Sequence, residues 1–175
     1  MSTYTVTPQA GNITLREKND ITIISTITVK SMMNEVDSRQ ENRVSIQSIY
    51  DTLKVLDEEH LLRLTKDYLS LEDESILALK NLREKGFIDL KKLVALLIWL
   101  VSASGHHYKV VGLDIAVDPE TKEPLFINIY VSNCGWDQWK HLSKSVKKRL
   151  VKEGFTDVAG KVALVCKEAL QALRG

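Results

Sequence analysis

The chain has 175 residues, with 24 Lys and Arg against 23 Asp and Glu, 44% apolar residues, 8 Gly, 3 Pro and 2 Cys. These proportions exclude collagen-like, low-complexity and disulfide-scaffold proteins, and 52 Ile, Val and Leu residues are enough to bury a core without metal or disulfide staples. A net charge of +1 gives no global field for steering nucleic acid or an anionic membrane, so either role needs a local patch.

Residues 1–30 read as strands. Ile13 and Leu15, then Ile21, Ile23 and the run to Val29, are β-branched stretches broken by Ala10-Gly11-Asn12 and Asn19-Asp20, the pattern of an antiparallel meander with an edge free for pairing. The polar stretch 31–43 reads as a loop or short helix, in which Met32 and Met33 are adaptable contact side chains. From 44 to 104 the apolar period changes from two to about 3.6, which predicts a run of helices. Ile46, Ile49, Leu53 and Leu56 make one stripe, and Leu61, Leu64, Tyr68 and Leu69 a looser second. Glu72, Asp73 and Glu74 suit the positive end of a third helix, and Gly86 suits its exit. Asp89 is placed to cap a fourth helix, whose nine consecutive apolar residues, 93–101, leave it no polar face and predict burial. That run is less than half of the roughly 20 residues a membrane span needs.

The hairpin is the clearest local pattern. Val111, Leu113, Ile115 and Val117 alternate with small or polar residues, the chain turns through 118–124, and Leu125, Ile127, Ile129 and Val131 alternate again, within 108–132. Residues 135–173 read as two helices. Trp136, Trp139, Leu142, Val146 and Leu150 share one side of the first; Val158, Val162, Val165, Ala169 and Leu173 repeat the spacing in the second, although 162–166 is also compatible with a short strand. The composite is an α+β fold in one domain over 1–175. Its sheet is mixed and mainly antiparallel, formed by the N-terminal meander and the late hairpin, and covered by about six helices.

Cys134 is the strongest catalytic candidate, because Ser132-Asn133-Cys134-Gly135 falls where a strand ends and a helix begins, and exposed amides there favour a thiolate. It needs a base. His106 and His107 could supply one if the fold brings them near, whereas His141 lies two turns along the same helix and is too far away. A buried small residue in a tight turn is the plainer reading of Cys134. Two cysteines without a cleavable signal indicate a reducing, intracellular and cytoplasmic setting, in which the Asn12-Ile13-Thr14 sequon is chance. Adjacent histidines do not make a metal site by themselves, and no paired zinc spacing accompanies them. Asp114 and Asp118 share a strand face, but no third acid or lysine joins them on the partner strand. No metal or cofactor is expected.

Lys140, Lys144, Lys147, Lys148 and Lys152 form an arc beside the apolar stripe of the helix from Trp136, an arrangement able to hold phosphates. Basicity is local to this end, with eleven basic against eight acidic residues from 106 to 175, and ten against twelve from 37 to 105. Trp136 and Trp139 are expected to face the core. There is no glycine-rich phosphate loop, dinucleotide fingerprint, Gly-x-Ser-x-Gly elbow or Cys-x-x-Cys pair. The sequence therefore favours a non-enzymatic interaction protein that contacts a protein partner or its own copy. Nucleic-acid binding through the lysine arc is the first alternative, and cysteine-dependent catalysis at Cys134 the second.

Overall fold

Ser45 sets the start of helix α1 (Ile46–Leu53) in a computed structural model that describes residues 44–102 and 108–174. The expected meander at 1–30, the Met32-Met33 contact and the His106-His107 pair lie outside the described residues. Ser45 Oγ accepts from Ser48 N at 3.0 Å while Ser48 Oγ accepts from Ser45 N at 3.1 Å, a reciprocal cap. The next free amides of α1 are met from far along the chain, where Glu153 accepts from Gln47 N at 2.9 Å and Ile46 N at 3.3 Å.

Asp57 caps α2 (Glu58–Leu69) by accepting from His60 N at 2.9 Å, and Ser70 ends it in a left-handed conformation. Helix α3 (Asp73–Glu84) carries the expected acids at its start and exits through Gly86 at φ +62°. Asp89 then accepts from Lys91 N at 3.0 Å and opens α4 (Leu90–Ser102). Leu93, Val94, Leu96, Leu97, Ile98 and Leu100 in this helix are fully buried, as the unbroken apolar run predicts. Helix α4 packs against α1, α2, α3 and the first strand, which places it at the centre of the buried cluster.

Strands β1 (Lys109–Val117) and β2 (Pro124–Ser132) pair antiparallel, with Leu113 opposite Ile129 and Ile115 opposite Ile127. Asp118 Oδ1 tightens the turn by accepting from Glu120 N at 2.8 Å and Thr121 N at 3.0 Å. Helix α5 (Trp136–Lys152) and the single turn α6 (Thr156–Ala159) then carry the chain to β3 (Val162–Cys166), which lies parallel to β2; α7 (Lys167–Arg174) follows. The described sheet is therefore mixed, in the order β1-β2-β3, and the fold is α+β.

Strand β3 corrects the reading of Val158 to Leu173 as one helix and matches the short strand that 162–166 also allowed. Val162, Leu164 and Cys166 are buried with a period of two, and they cover the free side of β2 beside Ile127, Ile129 and Val131. Satisfying β2 with a third strand outweighs the helical spacing of Val158, Val162 and Val165. Both edges of the described sheet are tied to helices. Leu113 N of β1 donates to Ser75 Oγ of α3 at 3.2 Å, and Leu164 O of β3 accepts from Trp139 Nε1 of α5 at 2.7 Å. Those contacts remove ladder groups that another strand would need.

Candidate nucleic-acid interface

Helix α5 starts at Gly135, whose amide donates to Gln138 Oε1 at 3.1 Å, and the chain leaves it through Gly154 at φ +86°. Leu142, Val146 and Leu150 are buried beneath it, and Trp139 reaches the sheet through its indole N–H. One side of the helix is thus committed to the core. On the opposite side Lys140, Lys144, Lys147, Lys148 and Lys152 are all exposed. Among the described residues no carboxylate lies within ion-pair distance of any of the five. Arg149 differs, because its Nε donates to Glu153 at 2.7 Å and its guanidinium lies over the Trp99 ring at 5.7 Å.

Trp136 departs from the expected core-facing stripe, with 40% of its surface exposed. At about 100° per residue it falls roughly 75° from the middle of the stripe formed by Trp139, Leu142, Val146 and Leu150. In the first turn of α5 it therefore stands at the shoulder between core and solvent. Its ring centroid is 5.1 Å from that of Trp139, at an interplanar angle of 55°. Lys140 Nζ lies 5.4 Å from the Trp136 ring centroid. Protein-family models, curated proteins and solved structures give no match to this chain.

Cys134 does sit at the strand-to-helix turn, but it is 2% exposed. Burial, then the adjacent Cys166 thiol and the negative charge of Glu168, push its thiol up to about 12. Its Sγ donates to Gly135 O at 3.6 Å, while Cys166 Sγ donates to Cys134 O and lies 3.4 Å from Glu168 Oε2. The amides invoked for a thiolate are engaged elsewhere: Asn133 N donates to Glu168 at 3.0 Å and Gly135 N to Gln138. This environment favours a neutral thiol, against a nucleophile. His141 is exposed on α5, and His106 and His107, the other candidate bases, lie outside the described residues.

Asp114 and Asp118 do not act together. Asp114 accepts from Asn128 Nδ2 at 2.8 Å and Tyr130 Oη at 2.6 Å on the outer sheet face, whereas Asp118 is consumed by its turn. The amides of Thr121 and Glu120 hold the Asp118 carboxyl below the usual carboxylate range. Among the described residues no group of three His, Cys, Asp or Glu is placed to hold a metal, and no helix is long and apolar enough to cross a membrane. A cavity of about 340 Å³ opens beside Tyr68, Val101, Tyr108 and Val110. At its wall Tyr68 Oη lies 2.7 Å from Ser102 Oγ.

Proposed function

We propose that this protein is a non-enzymatic nucleic-acid-binding module that uses the solvent face of α5. The observation that carries the reading is the set of five exposed lysines that meet no neutralising carboxylate among the described residues, beside a partly exposed tryptophan. Elsewhere among the described residues Lys54, Arg63, Lys66, Arg83 and Lys92 are ion-paired, Lys66 with Asp73 at 2.7 Å and Lys92 with Asp157 at 3.2 Å. Unpaired lysines on one face keep a local positive field despite a net charge of only +1, and phosphates release counterions when they meet it. An anionic membrane is less suited, because the apolar side of α5 is already spent on the core and cannot enter lipid.

Fluorescence anisotropy with a labelled oligonucleotide at low salt tests this directly. The double variant Lys144→Glu/Lys148→Glu is expected to weaken binding by about ten- to a hundredfold, with unchanged circular dichroism. Failure of the unmodified protein to bind, or equal affinity of the double variant, would reject the proposal.

Protein contact or self-association has its own supporting observation. Val117, Leu125 and Phe126 are 45%, 51% and 40% exposed, close together at the distal end of the hairpin. Leu125 and Phe126 are successive residues of β2 and point to opposite faces, so each face of that hairpin end offers an exposed apolar side chain to a partner. Sedimentation velocity should then show a concentration-dependent oligomer that Leu125→Ser/Phe126→Ser returns to monomer; a wild-type monomer at the highest soluble concentration discards self-association.

A further inference from the structure

The spacing of the residues on α5 says which form of nucleic acid fits. Trp136, Lys140, Lys144, Lys148 and Lys152 are each four residues apart, so they form one continuous ridge of the helix, with the tryptophan at its N-terminal end. At 1.5 Å rise per residue, successive members are separated by about 6 Å along the axis, and the whole ridge spans about 24 Å. That step is comparable to the separation of neighbouring phosphates along one strand. Lys147 flanks the ridge between Lys144 and Lys148 and adds charge without starting a second row.

Resting on the nucleic-acid reading above, we infer that the ligand is a single strand of about five nucleotides, held with successive phosphates on the lysine ridge and one base stacked on Trp136. The aromatic end is braced for this. Trp139 is anchored to the sheet by its hydrogen bond to Leu164 O and packs against Trp136, which fixes the orientation of the outer ring while leaving part of it open. Lys140, which lies over the Trp136 ring in the free protein, moves to a phosphate as the base takes its place. Stacking of a base on an aromatic face is the stronger of those two contacts at an exposed site.

A duplex fits this face less well. Reading base edges in the major groove relies on bidentate Arg, Asn and Gln, with Lys also serving at guanine. Arg149 is turned to Glu153 and Trp99, and Gln138 Oε1 is engaged with Gly135 N. The exposed face is left with lysines, which act as point charges, and with an aromatic that needs an unpaired base.

The test compares oligothymidylate with a mixed-sequence duplex of the same length, using wild type, Trp136→Ala, Trp136→Phe and the Lys144→Glu/Lys148→Glu double variant. Wild type should prefer the single strand, with quenching of tryptophan fluorescence and a log affinity against log salt slope near −3, from about −0.7 for each of four phosphates. Trp136→Ala should lose about tenfold for the single strand and nothing for the duplex. Trp136→Phe should recover much of that loss, because it keeps an aromatic face. Equal binding of both nucleic acids, with Trp136→Ala indifferent, overturns the single-strand inference while the nucleic-acid reading survives. No binding of either, or binding only to phosphatidylserine vesicles, overturns both. Trp136 is partly exposed and outside the buried cluster, so its variants should fold.

Discussion

Replacing Leu97 by alanine is expected to lower the free energy of unfolding by about 3 kcal/mol, within the roughly 2–5 kcal/mol span of buried leucine truncations. Leu97 is fully buried in the middle of α4, the helix that meets α1, α2, α3 and β1. Neighbours drawn from several elements cannot all close on a lost isobutyl group, so a cavity remains and its surface adds to the lost transfer energy. Leu77 of α3 provides the contrast, because it is 58% exposed and its alanine variant should stay within about 0.5 kcal/mol of wild type. Urea unfolding followed by circular dichroism measures both. A Leu97→Ala cost below about 1 kcal/mol, at unchanged m-value, would show that α4 is not the packing centre.

The parts legible in the sequence are those where one face is buried over many residues. Ile46, Ile49, Leu53 and Leu56 are all buried, as their spacing predicts, and the hairpin places Leu113, Ile127, Ile129 and Val131 inside, while a bulge buries Val110 in place of the expected Val111, and Val117 and Leu125 at the far end are exposed. A one-residue slip would turn that whole set outward, which is why alternation specifies the register. Strand β3 is only five residues long. Over so short a run, Val162 and Cys166 satisfy a strand, while Val158, Val162 and Val165 satisfy a helix, and the choice comes from β2 needing a neighbour. Local pattern does not contain that requirement.

The same division runs through the candidate site. The four-residue spacing from Trp136 to Lys152 is present in the sequence, and exposure of the lysines follows from the buried stripe behind them. Exposure of Trp136 does not, since an apolar stripe tells which side of a helix is buried but not where the covering surface stops. Pairings across the fold are equally hidden. Glu153 reaches α1 across 106 residues and draws Arg149 with it, so the one arginine on α5 is withdrawn from the basic face by a contact that periodicity cannot show. Trp139 and Ser75 tie the two described sheet edges in the same way, from positions that read simply as helix.

Cys134 should resist alkylation in the native protein, reacting with iodoacetamide at pH 8 about a thousandfold more slowly than an ordinary thiol. The thiolate is the reacting form, and a thiol pushed up to about 12 holds roughly one thiolate in ten thousand at that pH. Burial of the side chain slows the approach of reagent further. The shift also predicts a pH dependence of stability. Below about pH 9 the folded and unfolded chains both keep this proton, so the group contributes no slope. Above it the unfolded chain releases the proton while the folded chain retains it, so stability falls as the pH rises towards 12. Burial also raises Tyr108, from an ordinary value of 10.0, so the interval between pH 9 and 10 isolates the cysteine best. Cys134→Ala should flatten the stability profile there when compared with wild type in urea at each pH. Labelling of Cys134 as fast as a free thiol, with no difference between the two profiles, would return thiolate chemistry to this turn and reopen the case for a nucleophile.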